Sequence, residues 1–365
     1  MKLKQTPLHG RHVSLGARMV QFAGWDMPVQ YAGLIAEHDA VRSTAGVFDV
    51  SHMGEFVVSG PDATEFLNYV LTNDVARLRK GRSQYTLICN EAGGVVDDAM
   101  LYQLTETECL LVVNAANMET AWGWLAGLVG DFEVQLENRS DDYCLLAVQG
   151  PETEARLDPG CDLDLTGLRR TRIREVEVFG RGVLIGRTGY TGEDGLEIFC
   201  SPEDGPAIWD ELLGLDITPA GLGARNTLRL EAGMALHGNE LGIDITPIEA
   251  GLAGVVAMEK GQFVGREALA AVAESGPSRR LRGLRTSGRG IPRDHYPVKT
   301  EHGEGVVTSG TFSPTLQGGI GMAFVPPACE IGDGVSVEIR GHEWEATLVE
   351  MPFYSNVTQW RAKST

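Results

Sequence analysis

Between residues 85 and 114 three apolar, β-rich runs follow one another with almost nothing between them, and this constrains the fold more than any other feature. Residues 85–89 end in Asn90-Glu91-Ala92-Gly93-Gly94, residues 95–104 follow, and residues 105–108 turn straight into 109–114. A parallel pair needs a crossover of a dozen residues or more, so links this short force neighbouring strands to run antiparallel. The expectation is a three-stranded antiparallel meander.

The flanks read as α and β in turn. Pro61-Asp62 followed by Phe66, Leu67, Val70 and Leu71 predicts an amphipathic helix, and residues 118–128, with Trp122 and Trp124, predict another. Farther on come strands at 143–148, 176–185 and 195–199, the last two flanking a glycine-rich turn, and helices at 206–213 and 222–234. Residues 275–293, rich in Gly, Ser and Arg, read as a linker. Beyond it, short runs at 305–308, 321–324, 335–339 and 344–349 lack a helical pattern and suggest a small all-β barrel or jelly roll.

Charge and composition exclude several classes. The net charge of −19 repels phosphate backbones, so no nucleic-acid partner is expected. No run of 18 apolar residues exists to span a membrane. The start, Met1 to Pro7, has neither an apolar nor an Arg-rich leader, and a cytoplasmic enzyme is expected. The six cysteines form no C-x-x-C pair and no His stands at ligand spacing, so they read as reduced and structural, with no metal.

Four clusters are candidates for chemistry. Asp97 and Asp98 sit in an apolar strand, where a buried carboxylate needs a partner. Alternation puts Asp98 with Val96, Met100 and Tyr102, and Asp97 with Ala99 and Leu101; both faces are partly apolar, so periodicity does not say which one meets a ligand. In Thr188-Gly189-Tyr190-Thr191-Gly192-Glu193-Asp194-Gly195-Leu196-Glu197, three glycines would let the backbone approach a ligand, Tyr190 could stack on a flat heterocycle, and Glu197 could accept from an amino-pyrimidine edge. Arg225 and Arg229 lie four apart on one helical face, with Glu231 out of phase. In Asp49-Val50-Ser51-His52-Met53, a lone His52 reads as structural.

In this order and spacing the pieces form a recognisable set. The sequence resembles the T-protein of the glycine cleavage system, a family of folate-dependent aminomethyltransferases. The resemblance spans nearly the whole chain and includes Phe22-Ala23-Gly24-Trp25, Phe48 to Met53, Gly93 to Asp98, Val148-Gln149-Gly150-Pro151, Gly189 to Gly195, Gly221 to Gly233 and Ser309 to Thr315. It implies an α+β, three-lobed folate-binding fold with antiparallel sheets: residues 1–275 as two α+β lobes and 280–365 as a C-terminal β-barrel. It implies tetrahydrofolate as co-substrate and a lipoylated H-protein as partner. It also assigns the acid–base role to Asp97 and folate contacts to Tyr190, Glu197 and Arg225, with Met53, Tyr85 and Asn114 added by position.

Some relatives set an aromatic residue near the C-terminus against the folate; here Tyr354 and Trp360 both follow Met351-Pro352-Phe353, and the position stays open. Two other folate-binding activities share such a fold. One is a demethylase. The other is a non-catalytic iron–sulfur assembly protein marked by Lys-Gly-Cys, where this chain has Lys260-Gly261-Gln262 without a thiol. Because such carriers are acidic like this chain, docking calls for a local positive patch, and Arg279, Arg280, Arg282, Arg285, Arg289 and Arg293 form the densest run.

Overall fold

The computed structural model describes residues 2–355. The meander is the heart of a five-stranded sheet, ordered Arg82–Cys89, Val95–Gln103, Glu108–Val113, Gly54–Ser59 and Gln135–Asn138. The Ala63–Val70 helix covers one face by burying Ala63, Phe66, Leu67 and Val70, the spacing of one helical stripe. Met118–Gly127 packs beside it through Ala121 and Leu125. Each fully buried Leu or Phe on such a face stabilises the fold by about 1.5–3 kcal/mol.

A second sheet has six strands, ordered Ile173–Val178, Arg181–Gly186, Gly195–Cys200, Cys144–Gln149, Gly46–Asp49 and Thr218–Pro219. Only the last pair is parallel. The two sheets share a core in which Phe48, Val57, Tyr102, Leu110, Ala147 and Phe199 meet. The run 176–185 is not one strand but the middle of a hairpin. Phe179 and Gly180 both take positive φ, 51° and 72°, the geometry of a two-residue hairpin turn. Phe179, a residue type uncommon at positive φ, hid that turn although Gly180 and Gly182 stand beside it.

The C-terminal lobe is a closed six-stranded barrel, so the jelly-roll alternative is set aside. Its first strand, Arg280–Thr286, falls inside the expected linker. Leu281, Gly283, Leu284 and Thr286 are buried while arginines fill the positions between them, and the run of charge masked the alternation. Only residues 276–279 connect the Arg266–Ser275 helix to that strand. The arginines do not form one face. Arg280 and Arg282 alternate with Leu281, Arg285 donates to the Leu316 carbonyl at 3.4 Å, and Arg279 pairs with Glu249 at 3.2 Å and lies 4.6 Å over Phe324.

The Leu222–Glu231 helix fastens the barrel to the other lobes. Leu230 packs against Leu281, Ile320, Met322 and Phe324. Glu231 accepts from Thr315 N at 3.1 Å, Thr315 Oγ1 at 2.8 Å, Arg42 Nη2 at 2.9 Å and the Ser313 hydroxyl. Burial alone would raise its pKa, but His38, Ser313 and Arg42 outweigh that and hold it at about 2. Among the described residues, no helix is long and apolar enough to cross a membrane. The six cysteines are unpaired.

Candidate active site

Strand alternation separates the two adjacent carboxylates. Asp97 stands opposite Ile88 and shares its face with Ala99 and Leu101, in the core beneath the two helices, with none of its surface exposed. Asp98 stands opposite Leu87 and shares its face with Met100 and Tyr102, toward the second sheet. The carboxylate on the face toward Tyr85 and Tyr190 is therefore that of Asp98, and Asp97, to which the resemblance assigns the acid–base role, stands on the other face.

Asn114, at the end of the neighbouring strand, ties the pair together. Its Nδ2 donates to Asp97 Oδ1 and to Asp98 Oδ1, each at 2.8 Å, and its backbone N–H donates to Asp97 Oδ2 at 3.1 Å. Tyr85, on the strand across, donates its hydroxyl to Asp98 Oδ2 at 3.0 Å. Burial, and then the charge of Asp98, push Asp97 up to about 7 against the pull of the Asn114 bonds. Burial raises Asp98 as well, opposed by Tyr85 and Asn114. Asp97, raised to about 7, can therefore hold or release a proton near neutral pH.

The other side comes from the second sheet and the Leu222–Glu231 helix. Arg225 lies with its guanidinium 4.8 Å from the centre of the Tyr190 ring. Its Nη1 is buried and makes no hydrogen bond among the described residues. Tyr190 is anchored through its hydroxyl to the Ala235 carbonyl. Glu197 Oε2 accepts the Tyr102 hydroxyl at 2.9 Å and that of Thr188, which leaves Oε1 uncommitted among the described residues. The charge of Asp98 acts on Tyr190, so the two sides face each other. Met53, half-buried, packs in the shared core with Met100.

The glycines of the 188–195 turn serve a different neighbour than a ligand. A Cβ on Gly189 would sit 1.9 Å from Gln149 Oε1, and one on Gly195 2.3 Å from Gln149 Nε2. The buried Gln149 side chain threads beneath the turn, donating to Thr188 O at 3.1 Å and accepting from Thr191 Oγ1 at 2.9 Å. This fixes the backbone that aims Tyr190 and Glu197.

The remaining candidates are structural. Arg229 turns away from Arg225 to Glu240 at 3.1 Å and Ser309 at 2.8 Å. His52 is buried edge-on to Phe22, and burial lowers its pKa to about 4, so it stays neutral. Tyr354 lies 4.4 Å over Arg42, and Trp360 lies outside the described residues. A cavity of about 840 Å³ opens elsewhere between the sheets, lined by Gln103, Tyr143, Leu184 and Phe199 among others, and no candidate residue lines it. Glu55, buried with neither carboxyl oxygen hydrogen-bonded among the described residues, was not singled out in the sequence, where it is a lone acid in Gly54-Glu55-Phe56-Val57-Val58.

The donor set suits a flat ring that bears N–H donors and a carbonyl. Tyr190 offers a face, the free oxygen of Glu197 an acceptor and the unpaired nitrogen of Arg225 a donor. Among the described residues no group of His, Cys, Asp and Glu gathers as a metal site.

Comparison with known proteins identifies the family. Residues 8–260 match the GCVT N-terminal domain model and residues 279–355 the glycine cleavage T-protein C-terminal barrel domain. The chain belongs to the glycine cleavage T-protein family. It is 48% identical over 359 residues to an aminomethyltransferase of Desulfitobacterium hafniense (strain Y51), covering 97% of this chain and 98% of that one. It is 46% identical over 363 residues to that of Thermosipho melanesiensis, covering 99% and 100%. The crystal structure of glycine cleavage system aminomethyltransferase T from Bartonella henselae superposes with a TM-score of 0.92 at 38% identity, over 97% and 98% of the two chains.

Proposed function

We propose that this chain is the aminomethyltransferase of the glycine cleavage system, with tetrahydrofolate as its co-substrate. The methylene carbon leaves the sulfur of an aminomethylated dihydrolipoyl arm on the H-protein and passes to tetrahydrofolate. The products are 5,10-methylenetetrahydrofolate, ammonia and the dihydrolipoyl carrier. The reaction is placed in the cytoplasm.

The observation that carries the site assignment is the opposition of the Asp97–Asn114–Asp98 unit to Tyr190, Glu197 and Arg225. Glu197 and Arg225 bind the amino-pyrimidine edge and carbonyl of the pterin, and Tyr190 covers its face. Tyr85, Asn114 and Met53 fix the near wall. Asp98 touches the reacting amine and manages its proton, and Asp97 supports it through their shared Asn114. Holding two reactants in register supplies on the order of 7–11 kcal/mol in well-oriented cases, so Asp98 need not be a strong base. In this reading the folate-binding region runs to residue 275, and the barrel, whose strands run from Arg280–Thr286 to His342–Val349, packs against it through Leu230.

A donor screen tests the reading. The purified enzyme, with tetrahydrofolate, should release ammonia from aminomethylated H-protein. Turnover of methylated sulfur or nitrogen compounds in its place would make it a demethylase.

A further inference from the structure

Two distant stretches of the chain share one pattern. Asp74-Val75-Ala76-Arg77-Leu78-Arg79-Lys80-Gly81-Arg82 is matched 90 residues on by Asp164-Leu165-Thr166-Gly167-Leu168-Arg169-Arg170-Thr171-Arg172. Each makes one turn of 3-10 helix, Val75–Arg77 in one lobe and Leu165–Gly167 in the other, and then enters a strand. Val75 and Leu78, like Leu165 and Leu168, are buried and anchor the two turns in their own cores. The cations stay outside: Arg77, Arg79, Lys80, Arg82, Arg169 and Arg174 are exposed, and Arg172 is half-buried.

Folding sets the two stretches edge to edge. Arg82 and Arg172 form an antiparallel bridge, in which Ser83 N donates to Thr171 O at 2.9 Å and Ile173 N to Gly81 O at 3.1 Å. Arg174 reaches across, donating from Nη1 to the Gly81 carbonyl at 3.3 Å. Arg169, Arg172 and Arg174 line a cavity of about 410 Å³ together with Asp164, whose carboxylate is taken up by Thr166 N at 2.9 Å and Thr166 Oγ1 at 2.6 Å. Arg174 and Lys80 also border the larger cavity between the sheets, where Glu108, Asp142 and Glu175 lie too.

The result is a basic ledge. Residues 77–82 and 169–174 hold eight of the 31 lysines and arginines and none of the 50 acids of a chain whose net charge is −19. Arg77 pairs with Asp74 at 2.9 Å, and the charge of Asp194 acts on Arg170. Burial, and then the like charges of Arg82, Arg174 and Arg169, lower the pKa of Arg172. Like charges set directly opposite each other across paired strands are destabilising, so fold stability does not account for the ledge. The ledge also adjoins the candidate site. Ile173 stands opposite Gly186, and Gly186 opposite Glu197, so at about 4.8 Å per strand the ledge runs roughly 10 Å from the backbone of Glu197. On the first sheet Arg82 is three residues from Tyr85 along one strand, again roughly 10 Å.

We propose that this ledge is the docking surface for the lipoylated carrier and binds an acidic face of that protein. The proposal rests on the carrier being the substrate. Cations spread over two loops call for several carboxylates spaced across a face, and a protein surface supplies them. Guanidinium groups match carboxylates two bonds at a time, which fixes orientation as well as attraction. A chain of net charge −19 repels an acidic partner on average, so a local positive ledge selects where such a partner lands. Landing there sets the carrier beside the strands that carry Tyr85 and Glu197.

The test combines Arg82→Glu, Arg169→Glu and Arg172→Glu in the full-length enzyme, with lipoylated, aminomethylated H-protein as the varied substrate. At low ionic strength the KM for the carrier should rise about tenfold or more, and its dependence on salt should flatten. The kcat, and the Kd for tetrahydrofolate with a single glutamate, should hold. Arg→Gln at the same three positions should move KM in the same direction by less, and stands in if the Glu variant folds poorly. A KM and salt dependence equal to the parent's in both variants, with the parent turning the carrier over, would overturn the proposal and leave the function standing. No turnover of the carrier by the parent would instead remove the function reading, and the docked partner with it. A variant that keeps its carrier KM but loses affinity for polyglutamated tetrahydrofolate would show that the ledge holds the tail of the folate and not a protein, which also overturns the proposal.

Discussion

The two sides of the junction are built on opposite principles. On the first sheet, Asp97, Asp98, Asn114 and Tyr85 satisfy one another at 2.8–3.1 Å. On the second, Arg225 keeps an unpaired buried nitrogen and Glu197 a free oxygen. A satisfied network is rigid and holds a reactive group in one place, whereas an unsatisfied donor gains most when a ligand arrives. The first side is suited to chemistry and the second to recognition, so substitutions on the two sides should separate turnover from affinity.

The largest effect is expected at the dyad. Asp98→Asn should fold and lose roughly 10²–10⁴-fold in turnover, the range of a positioned acid–base group. Asp97→Asn should lose less turnover and disturb stability more, because its carboxyl holds the Asn114 backbone. Turnover and melting temperature of both variants decide the matter. Full activity in folded D98N, with D97N inactive, would make Asp97 the acid–base residue, the role that the resemblance implies for it.

Next comes recognition. Glu197→Gln and Arg225→Ala should each weaken tetrahydrofolate binding by about 1–3 kcal/mol, since each leaves a polar ligand group unpaired. Turnover at saturating folate should change far less than in D98N. Calorimetric titration checks the first point, and a fall in kcat without a change in affinity would erase the contrast between the two sides.

The pH dependence of stability sharpens the same contrast. Asp97 is raised from 3.8 in the unfolded chain to about 7 in the folded one. A raised carboxyl contributes stability that is full below its unfolded pKa and is lost as pH rises through the folded value. The parent should therefore lose melting temperature relative to D97N between about pH 4 and pH 7, by a few degrees. Glu231, held at about 2, works in the other direction, and its contribution is lost only as pH falls from the unfolded value of 4.5 toward 2. Thermal scans of both proteins across this range check the difference, and a constant offset between them would show that Asp97 titrates normally.

These particulars mark what a sequence can carry. The meander was legible because link length alone dictates antiparallel pairing. The Phe179–Gly180 hairpin was not, because Phe179 is not a turn residue by type and the strand-forming runs on either side of it read as continuous. Alternation divided Asp97 from Asp98 but could not say which face was interior to the lobe, since that depends on where the helices at 63–70 and 118–127 lie down. Tyr190, Glu197 and Arg225 were nominated by residue type and motif, and folding brings them together. Gln149 was invisible as a site element, because its meaning comes from Thr188 and Thr191, 39 and 42 positions away, and from space that two glycines leave open.

The smallest effect should come from the arginines of residues 279–293. Read as sequence they made one positive run fit to steer an acidic carrier. Folded, they spread along a barrel strand and its flanking loops, and Arg279 is already committed to Glu249 and to the face of Phe324. Steering depends on a coherent local field, and charges that point different ways at an ionic strength of 0.1 M act independently beyond about 10 Å. Replacing Arg279, Arg280 and Arg282 with Glu should therefore leave the Michaelis constant for the carrier within about threefold of the parent at ordinary salt. What it should cost is stability. Glu249 is 9% exposed and accepts from Thr246, Ser278 and Arg279, so an acid at 279 places a like charge against a nearly buried one. Because Arg279 is 36% exposed, that loss should be no more than about 1 kcal/mol. Carrier kinetics at low and ordinary salt, beside a denaturant midpoint, separate the outcomes. A Michaelis constant that climbs steeply at low salt while the midpoint holds would show that the strand arginines act as one docking face after all.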